Sequence, residues 1–170
     1  MTSILKVSTL QDPTNSNTAL SIDTSGRITT PARPAFRAVI SASTSGQNYS
    51  TEQVLPLDVE NFDIGNNFDL STREFTVPID GVYYVAGILT VTSVTGATSV
   101  QLNLFLNGVR ENDTGNQTAS HDPQGGGHAT CTHTALLQLS AGDVVTYKMD
   151  VNGDTSVNLI NAEFSGFLVG

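Results

Sequence analysis

The residues with the clearest potential for chemistry lie in one short segment, HATCTH, which contains His128, Cys131 and His133. Imidazole and thiolate groups are the ligands that zinc prefers, and a zinc site uses three or four protein ligands. Successive side chains of a strand point to opposite faces. Cys131 and His133 would therefore share a face with Leu137 and Leu139, whereas His128 would point away. Two ligands per chain remain, so we expect core or interface packing here rather than a metal site.

Two acidic segments, DIGNNFD (residues 63–69) and DVNGD (residues 150–154), are similar in composition to calcium-binding loops. Neither has the alternating acidic residues and the closing glutamate of a helix-loop-helix calcium site. Their Asp, Asn and Gly residues are typical of turns. We therefore expect no cofactor, with calcium as the alternative.

A nucleophilic site needs a Ser or Cys beside a His that a carboxylate orients. His121 is followed by Asp122, but this pair falls in the longest irregular stretch, residues 112–128. The sequence contains neither a G-x-S-x-G elbow nor a glycine-rich phosphate loop. Nothing singles out one catalytic pair among the 16 acidic residues. We predict that the protein is not an enzyme.

Composition narrows the class of protein further. A chain of 170 residues suits one domain with a short appendage. The 16 acidic against 7 basic residues give a net charge of −9, which should repel nucleic-acid backbones. No stretch approaches the roughly 20 apolar residues of a membrane span, the start lacks a signal-peptide pattern, and the single Cys131 excludes an internal disulfide. We expect no nucleic-acid partner, no membrane insertion and synthesis in a cytoplasm.

The elements that position these residues are predicted to be strands. From residue 34 onward, short segments rich in β-branched and aromatic residues alternate with turn signals such as Asp80-Gly81 and Asn107-Gly108. Residues 100–108, VQLNLFLNG, place their Val and Leu residues on one face and mostly polar residues on the other, as in a half-buried antiparallel strand. The spacing predicts an all-β, antiparallel two-layer sandwich over residues 34–170.

Residues 1–33 are predicted to form a separate β appendage. The segments ILKVSTL and ALSID alternate, and TSG joins the second to RITT as in a short hairpin. Pro31 and Pro34 then separate this appendage from the rest. A lone two-stranded piece is marginally stable in water. The appendage must therefore pack on the main domain, on sister copies or on a larger assembly.

Two predicted strands are apolar on both faces. In GVYYVAGILTV (residues 81–91) and NAEFSGFLVG (residues 161–170), large apolar side chains occur at odd and even positions alike. A sandwich covers only one face of each strand. The other apolar face is most simply covered by another subunit. Loops of the same chain are the alternative. The residues that we predict for this subunit interface are Tyr83, Tyr84, Val85, Ile88, Phe164 and Phe167.

Residues 35–168 contain a series of short motifs whose order along the chain is informative. They are Ala35-Phe36, Phe68-Asp69, Phe75, Pro78, Gly81, Tyr83, Asn107-Gly108, Leu137, Leu139, Gly142-Asp143 and the segment FSGFL at 164–168. In this order they resemble the globular head domain of complement component 1q, a jelly roll related to the tumour necrosis factor fold. The chain departs from that pattern at Arg73, where a glycine is usual, and at Phe68, where a tyrosine is usual.

The resemblance implies an antiparallel jelly roll whose subunits pack as a homotrimer around a threefold axis. Two further copies of the chain would then cover the doubly apolar strands. The lead-in SIDTSGRITTPARPAF is similar to the collars that precede knob domains in tail-fibre and appendage proteins of bacteriophages, particularly marine and cyanobacterial phages. This second resemblance implies a structural protein on the virion surface, with residues 1–33 as a β collar for trimerisation or attachment to capsid or tail proteins.

The sequence leaves three alternatives for the function. Taken as complete from Met1, 170 residues are short for a long tail fibre, which favours a capsid decoration or cement protein, or a short fibre. The second alternative is a tail-fibre tip that recognises a host surface glycan or protein through loops such as 43–53 and 112–128. The third is a free lectin-like binding module.

Overall fold

The computed structural model describes residues 6–94, 96–111, 118–121 and 127–170, with the backbone alone for 118–121. These residues form sixteen strands joined by turns, and none of them belongs to a helix that could span a membrane. In chain order the strands are β1 (Thr9–Gln11), β2 (Thr18–Ile22), β3 (Ile28–Thr29), β4 (Ala35–Val39), β5 (Thr44–Gln47), β6 (Gln53–Val54), β7 (Val59–Ile64), β8 (Phe68–Asp69), β9 (Glu74–Thr76), β10 (Gly81–Thr92), β11 (Ser99–Leu106), β12 (Val109–Arg110), β13 (Thr118–His121), β14 (His128–Leu139), β15 (Val144–Asn152) and β16 (Val157–Leu168).

Strands β4 to β16 form a two-sheet sandwich, which we call the knob. The first sheet has the order β14-β10-β16-β4-β7, with β5 also paired to β16. The second sheet has the order β12-β11-β15-β9-β8, with β13 paired to β11 and β6 paired to β15. The paired strands run antiparallel. The predicted all-β, antiparallel jelly-roll sandwich is therefore confirmed.

Strand β10 organises the first sheet because it has long partners on both sides. All twelve of its residues pair with β14, and ten of them pair with β16. β-Branched and aromatic residues, which favour strands, make up most of it. Tyr83, Val85, Leu89 and Val91 point into the sandwich and are 0% exposed. One apolar face of β10 is thus the core face.

Four phenylalanine rings join the two sheets in the core. Phe36 and Phe164 come from the first sheet, and Phe68 and Phe75 come from the second. The ring of Phe36 stacks on that of Phe75 with centroids 4.5 Å apart, and Phe164 meets Phe36 edge-on at 4.7 Å. Such pairs add to the stabilisation that burial of the rings provides.

A tyrosine and a histidine fill the space above a glycine of β10. A Cβ atom added to Gly87 would lie 2.9 Å from ring carbons of Tyr147. The Tyr147 hydroxyl lies 2.8 Å from Nδ1 of His133. Burial lowers the pKa of His133 and raises that of Tyr147, because both charged forms lose hydration. Gly87 is therefore the residue that lets this buried polar pair fit between the sheets.

The segment HATCTH lies at the start of β14 with the predicted alternation. Cys131 and His133 are 3% and 8% exposed and face the core, whereas His128 is exposed. Burial raises the pKa of the Cys131 thiol to about 11. The predicted placement of Cys131 and His133 on one face of the strand and His128 on the other is confirmed.

Strand β11 departs from its predicted half-buried pattern. Its Val and Leu side chains face the core, but Asn103 and Phe105 on the opposite side are also only 0% and 5% exposed. Asn103 Nδ2 donates to Glu52 Oε1 at 3.2 Å, and Lys148 Nζ lies 4.1 Å from the Phe105 ring centroid. The prediction of a solvated outer face is wrong for this strand, because groups distant in sequence cover it.

Strands β1, β2 and β3 form a three-stranded antiparallel sheet of their own, the N-terminal sheet. The hairpin predicted around the TSG segment joins β2 to β3. Gly26 adopts a positive φ of 78° there, and its N–H donates to the Asp23 carbonyl at 2.9 Å. Residues 1–5 lie outside the described part of the chain.

Candidate subunit interface

An apolar row crosses the outer side of the first sheet, which faces away from the second sheet. Tyr84 of β10 pairs with Leu136 of β14 on one side and with Phe167 of β16 on the other. Phe167 in turn pairs with Ala35 of β4. Directly paired residues of antiparallel strands share a face. We call these four residues on four neighbouring strands the apolar row.

The side chains of the apolar row are not covered by their own chain. Leu136 is 65% exposed and Phe167 is 45% exposed, while Tyr84 and Ala35 are half-buried. The rings of Tyr84 and Phe167 contact each other, with centroids 5.3 Å apart and planes at 36°. Contiguous exposed apolar side chains of this size are typical of interaction sites.

Along the strands, away from the apolar row, the outer side includes polar and charged residues. Ala86 pairs with Ser165, so two small side chains follow the row. Arg37 pairs with Ser165, and its Nη2 lies 2.7 Å from Glu163 Oε2. The hydrogen bond to Glu163 and its negative charge raise the pKa of Arg37. An apolar centre beside a polar border is the usual anatomy of a protein–protein interface.

The six residues predicted for the interface fall on two sides of the sheet. Tyr84, Ile88 and Phe167 lie on the outer side, where their role in an interface stays a prediction. Tyr83, Val85 and Phe164 are 0% exposed within the single chain. These three have no surface left for another subunit, so their assignment to the interface is corrected: they pack in the core.

Leu136, the most exposed residue of the apolar row, is not among the residues predicted for the interface. In β14 it follows Ala135 and precedes Leu137, both of which are buried. One feature of the sequence could have identified Leu136. It is apolar at an outward position, whereas the preceding outward residues of β14, Thr130, Thr132 and Thr134, are polar. The strand register shows that Leu136 lies beside Tyr84, and this pairing cannot be read from the sequence of β14 alone.

In the first of the two acidic segments, the carboxylates accept hydrogen bonds from nearby backbone N–H groups. Asp63 Oδ2 accepts from Phe68 N at 2.7 Å, and Asp69 Oδ1 accepts from Ser71 N at 2.7 Å. The hydrogen bonds from Ser71 lower the pKa of Asp69. Within the described residues, no three His, Cys, Asp or Glu side chains are grouped to hold a metal. The absence of a cofactor, with calcium as the alternative, stays a prediction.

The proposed receptor loops are only partly described. Residues 43–53 contain β5 and the buried Tyr49, whereas 112–117 and 122–126, including Asp122, lie outside the described residues. A separate open cleft of about 500 Å³ combines amide, carboxylate and hydroxyl groups with apolar side chains. Its lining residues are Asn66, Asn67, Phe68, Asp69, Leu70 and Thr76.

Comparison with known proteins agrees with this architecture. The sequence profile of the C1q domain matches residues 35–169, and the chain therefore belongs to the C1q domain family. The globular domain of zebrafish complement 1qA protein is similar in structure, with a TM-score of 0.61, 20% identity, and coverage of 81% of this chain and 98% of that one. Murine APRIL at pH 5.0 gives a TM-score of 0.60 at 12% identity, over 81% of this chain and 99% of that one. At these identities the two structures show the shared fold alone. No curated protein matches the sequence.

Proposed function

We propose that three copies of the chain associate through the outer sides of their first sheets to form a non-enzymatic knob. C1q-type and tumour necrosis factor-type domains are generally non-enzymatic binding modules that form homotrimers. The observation that carries the proposal is the apolar row, which lies on the sheet face that the second sheet leaves open.

The energetics favour association at this row. Burying a large apolar side chain contributes about 1.5–3 kcal/mol, and Leu136 and Phe167 both have much of their surface still exposed. The row itself carries no charged side chain, although the whole chain has a net charge of −9. Like-charge repulsion is therefore kept away from the centre of the contact.

The test compares serine substitutions of two aliphatic residues that are similarly exposed, at 65% and 70%. Leu136→Ser lies in the apolar row, while Val109→Ser changes a residue of β12 in the second sheet that is 70% exposed. Sedimentation equilibrium of the full chain at micromolar concentration should show a trimer for the wild type and for Val109→Ser, and dissociation for Leu136→Ser. A folded monomeric wild type would overturn the proposal.

The same proposal places the knob on a bacteriophage particle, as a capsid decoration or cement protein or as a short fibre. Its support is the resemblance of the lead-in SIDTSGRITTPARPAF to phage collars, together with a separate N-terminal sheet available for attachment. The protein would be made in the host cytoplasm and displayed on the virion surface. Antibody labelling of purified particles, with a copy count, tests this. Hundreds of copies indicate decoration, a handful indicates a fibre, and unlabelled particles contradict the virion role.

A second candidate function is recognition of a host surface glycan, by a fibre tip or by a free lectin-like module. The observation that favours it is the open cleft beside β8 and β9, because hydroxyl, amide and carboxylate groups next to apolar side chains suit a saccharide. Glycan-array binding by the purified protein should weaken in Thr76→Ala, which lines the cleft. The exposed Thr155→Ala is the matched control, and equal binding by both variants contradicts a site in the cleft.

A further inference from the structure

One side of the N-terminal sheet has four aliphatic residues, with Thr18 of β2 at the end of the same side. Its register places Leu10 opposite Leu20, and Ile22 opposite Ile28. Leu20 and Ile22 are two residues apart in β2 and therefore point to the same side. All four side chains thus share one side of the sheet, which we call the collar face.

The opposite side of the same sheet is polar. Thr9 pairs with Ser21, and Ser21 pairs with Thr29. The hydroxyl oxygens of Ser21 and Thr29 lie 2.6 Å apart. A small sheet with a row of hydroxyl groups on one side and four aliphatic side chains on the other is amphipathic, so its two sides have different surroundings in a stable arrangement.

Three charged residues of this segment, Asp12, Asp23 and Arg27, are engaged in its turns. Asp12 Oδ1 accepts from Thr14 N at 2.7 Å. Asp23 Oδ1 accepts from Ser25 N at 2.8 Å, and Asp23 Oδ2 pairs with Arg27 Nε at 2.7 Å. The four side chains that define the collar face are uncharged and aliphatic, which suits another apolar face.

The collar face is uncovered in the single chain. Leu10 is 59% exposed, Ile28 is 65% exposed and Ile22 is 36% exposed. The knob contributes no strand to this sheet in the described part of the chain. A three-stranded sheet gains independent stability when its hydrophobic face is covered. A partner for the collar face would supply that cover.

A short connection links the collar face to the apolar row. Residues 30–34 join β3 to β4, and five residues span at most about 17 Å. The Pro34 carbonyl accepts from Leu168 N at 3.0 Å, directly beside Phe167 of the row. When three knobs associate, this tether holds three N-terminal sheets near one another at an effective concentration on the order of millimolar.

We infer that the collar face is a second interface between copies of this chain, in which three N-terminal sheets bury their collar faces against one another. The inference rests on the proposed trimer, because the knob brings the three sheets together. Closed threefold symmetry then presents identical apolar faces to a common axis. The polar rows with Thr9, Ser21 and Thr29 would remain in water.

Two neighbouring residues of β3 provide a matched test. Ile28→Cys places a thiol on the collar face, and Thr29→Cys places one on the polar side of the same strand. Cys131 is 3% exposed and does not compete for a reagent. The full-length variants are treated with a short bismaleimide and separated on a denaturing gel. We expect Ile28→Cys to give covalent dimers at least several-fold more efficiently than Thr29→Cys.

The outcomes separate this inference from the proposed trimer. Sedimentation of the untreated wild type shows first whether the chain is trimeric, and a monomer removes the proposed function and this inference together. If the variants sediment as trimers but Ile28→Cys cross-links no better than Thr29→Cys, the collar-face interface is wrong while the knob trimer stands. Preferential cross-linking of Ile28→Cys within trimers supports both.

Discussion

The ring of Tyr84 packs against the ring of Phe167 on the outer side of the first sheet, with ring centroids 5.3 Å apart. The two residues pair directly across β10 and β16. The second sheet lies on the other side of these strands, so the contact gains no cover from the core. This cross-strand aromatic pair is the centre of the apolar row on which the proposed trimer depends.

Alanine substitutions of Tyr84 and Phe167 are expected to weaken the trimer by about 1–3 kcal/mol each, because each removes apolar area from the contact. The rings touch, so the double variant should be non-additive by about 0.5–1.5 kcal/mol. Sedimentation equilibrium of the wild type, both single variants and the double variant measures these quantities. Val109→Ala is the control, and strictly additive effects would contradict a shared role of the two rings.

Gly87→Ala is expected to destabilise the knob by about 1–3 kcal/mol. The added methyl group would lie 2.9 Å from ring carbons of Tyr147, whose hydroxyl is held at His133. Chemical denaturation at fixed protein concentration measures the loss. Gly170→Ala, which has nothing within 4 Å of the added Cβ, should be neutral. Equal stability of the two variants would show that Tyr147 moves freely.

The buried His133 should make stability depend on pH in the mildly acidic range. Burial lowers its pKa in the folded state, so the neutral imidazole contributes stability above the unfolded pKa of about 6.5. That contribution is lost as the pH falls from there toward the folded pKa. Unfolding measured from pH 8 to pH 5 should have a shallower pH dependence in His133→Gln than in the wild type. His128→Gln, on the exposed side of β14, should keep the wild-type slope.

The turn at Asn107 should lose stability in stronger acid. Asn107 Nδ2 donates to Asp143 Oδ1 at 2.9 Å, and Ser140 N donates to Asp143 Oδ2 at 2.8 Å. These hydrogen bonds lower the pKa of Asp143, so their contribution is present above the unfolded pKa of about 3.9 and is lost as the pH falls through the folded pKa. Thermal unfolding should show Asp143→Asn less stable than the wild type at pH 7, with the difference shrinking below pH 4. A constant difference at all pH values would contradict this assignment.

Much of the fold follows from local sequence patterns. The alternation in β14 places Cys131 and His133 inside and His128 outside, as expected from strand geometry. The Asn107-Gly108 signal gives a turn in which both residues have positive φ, 51° and 78°. These features depend on neighbours in sequence, which is why periodicity and turn chemistry predict them.

The remainder depends on contacts between distant segments. β10 is apolar on both faces, so periodicity alone does not say whether Tyr83 or Tyr84 faces the core. The choice is made by the second sheet, which covers Tyr83. The cover of Asn103 comes from Glu52, 51 residues earlier in the chain. A single sequence carries no local sign of either contact.

The position of β16 between β10 and β4 has a consequence for biosynthesis. Ala35 of β4 pairs with Phe167 of β16. This pairing can form only after the ribosome has made β16, more than a hundred residues after β4. Sheets closed by such distant pairings fold slowly. Phe167 itself belongs to β16, and the surface for association is therefore complete only after this strand has been inserted. Nascent chains consequently lack the full contact surface until their own folding is nearly finished.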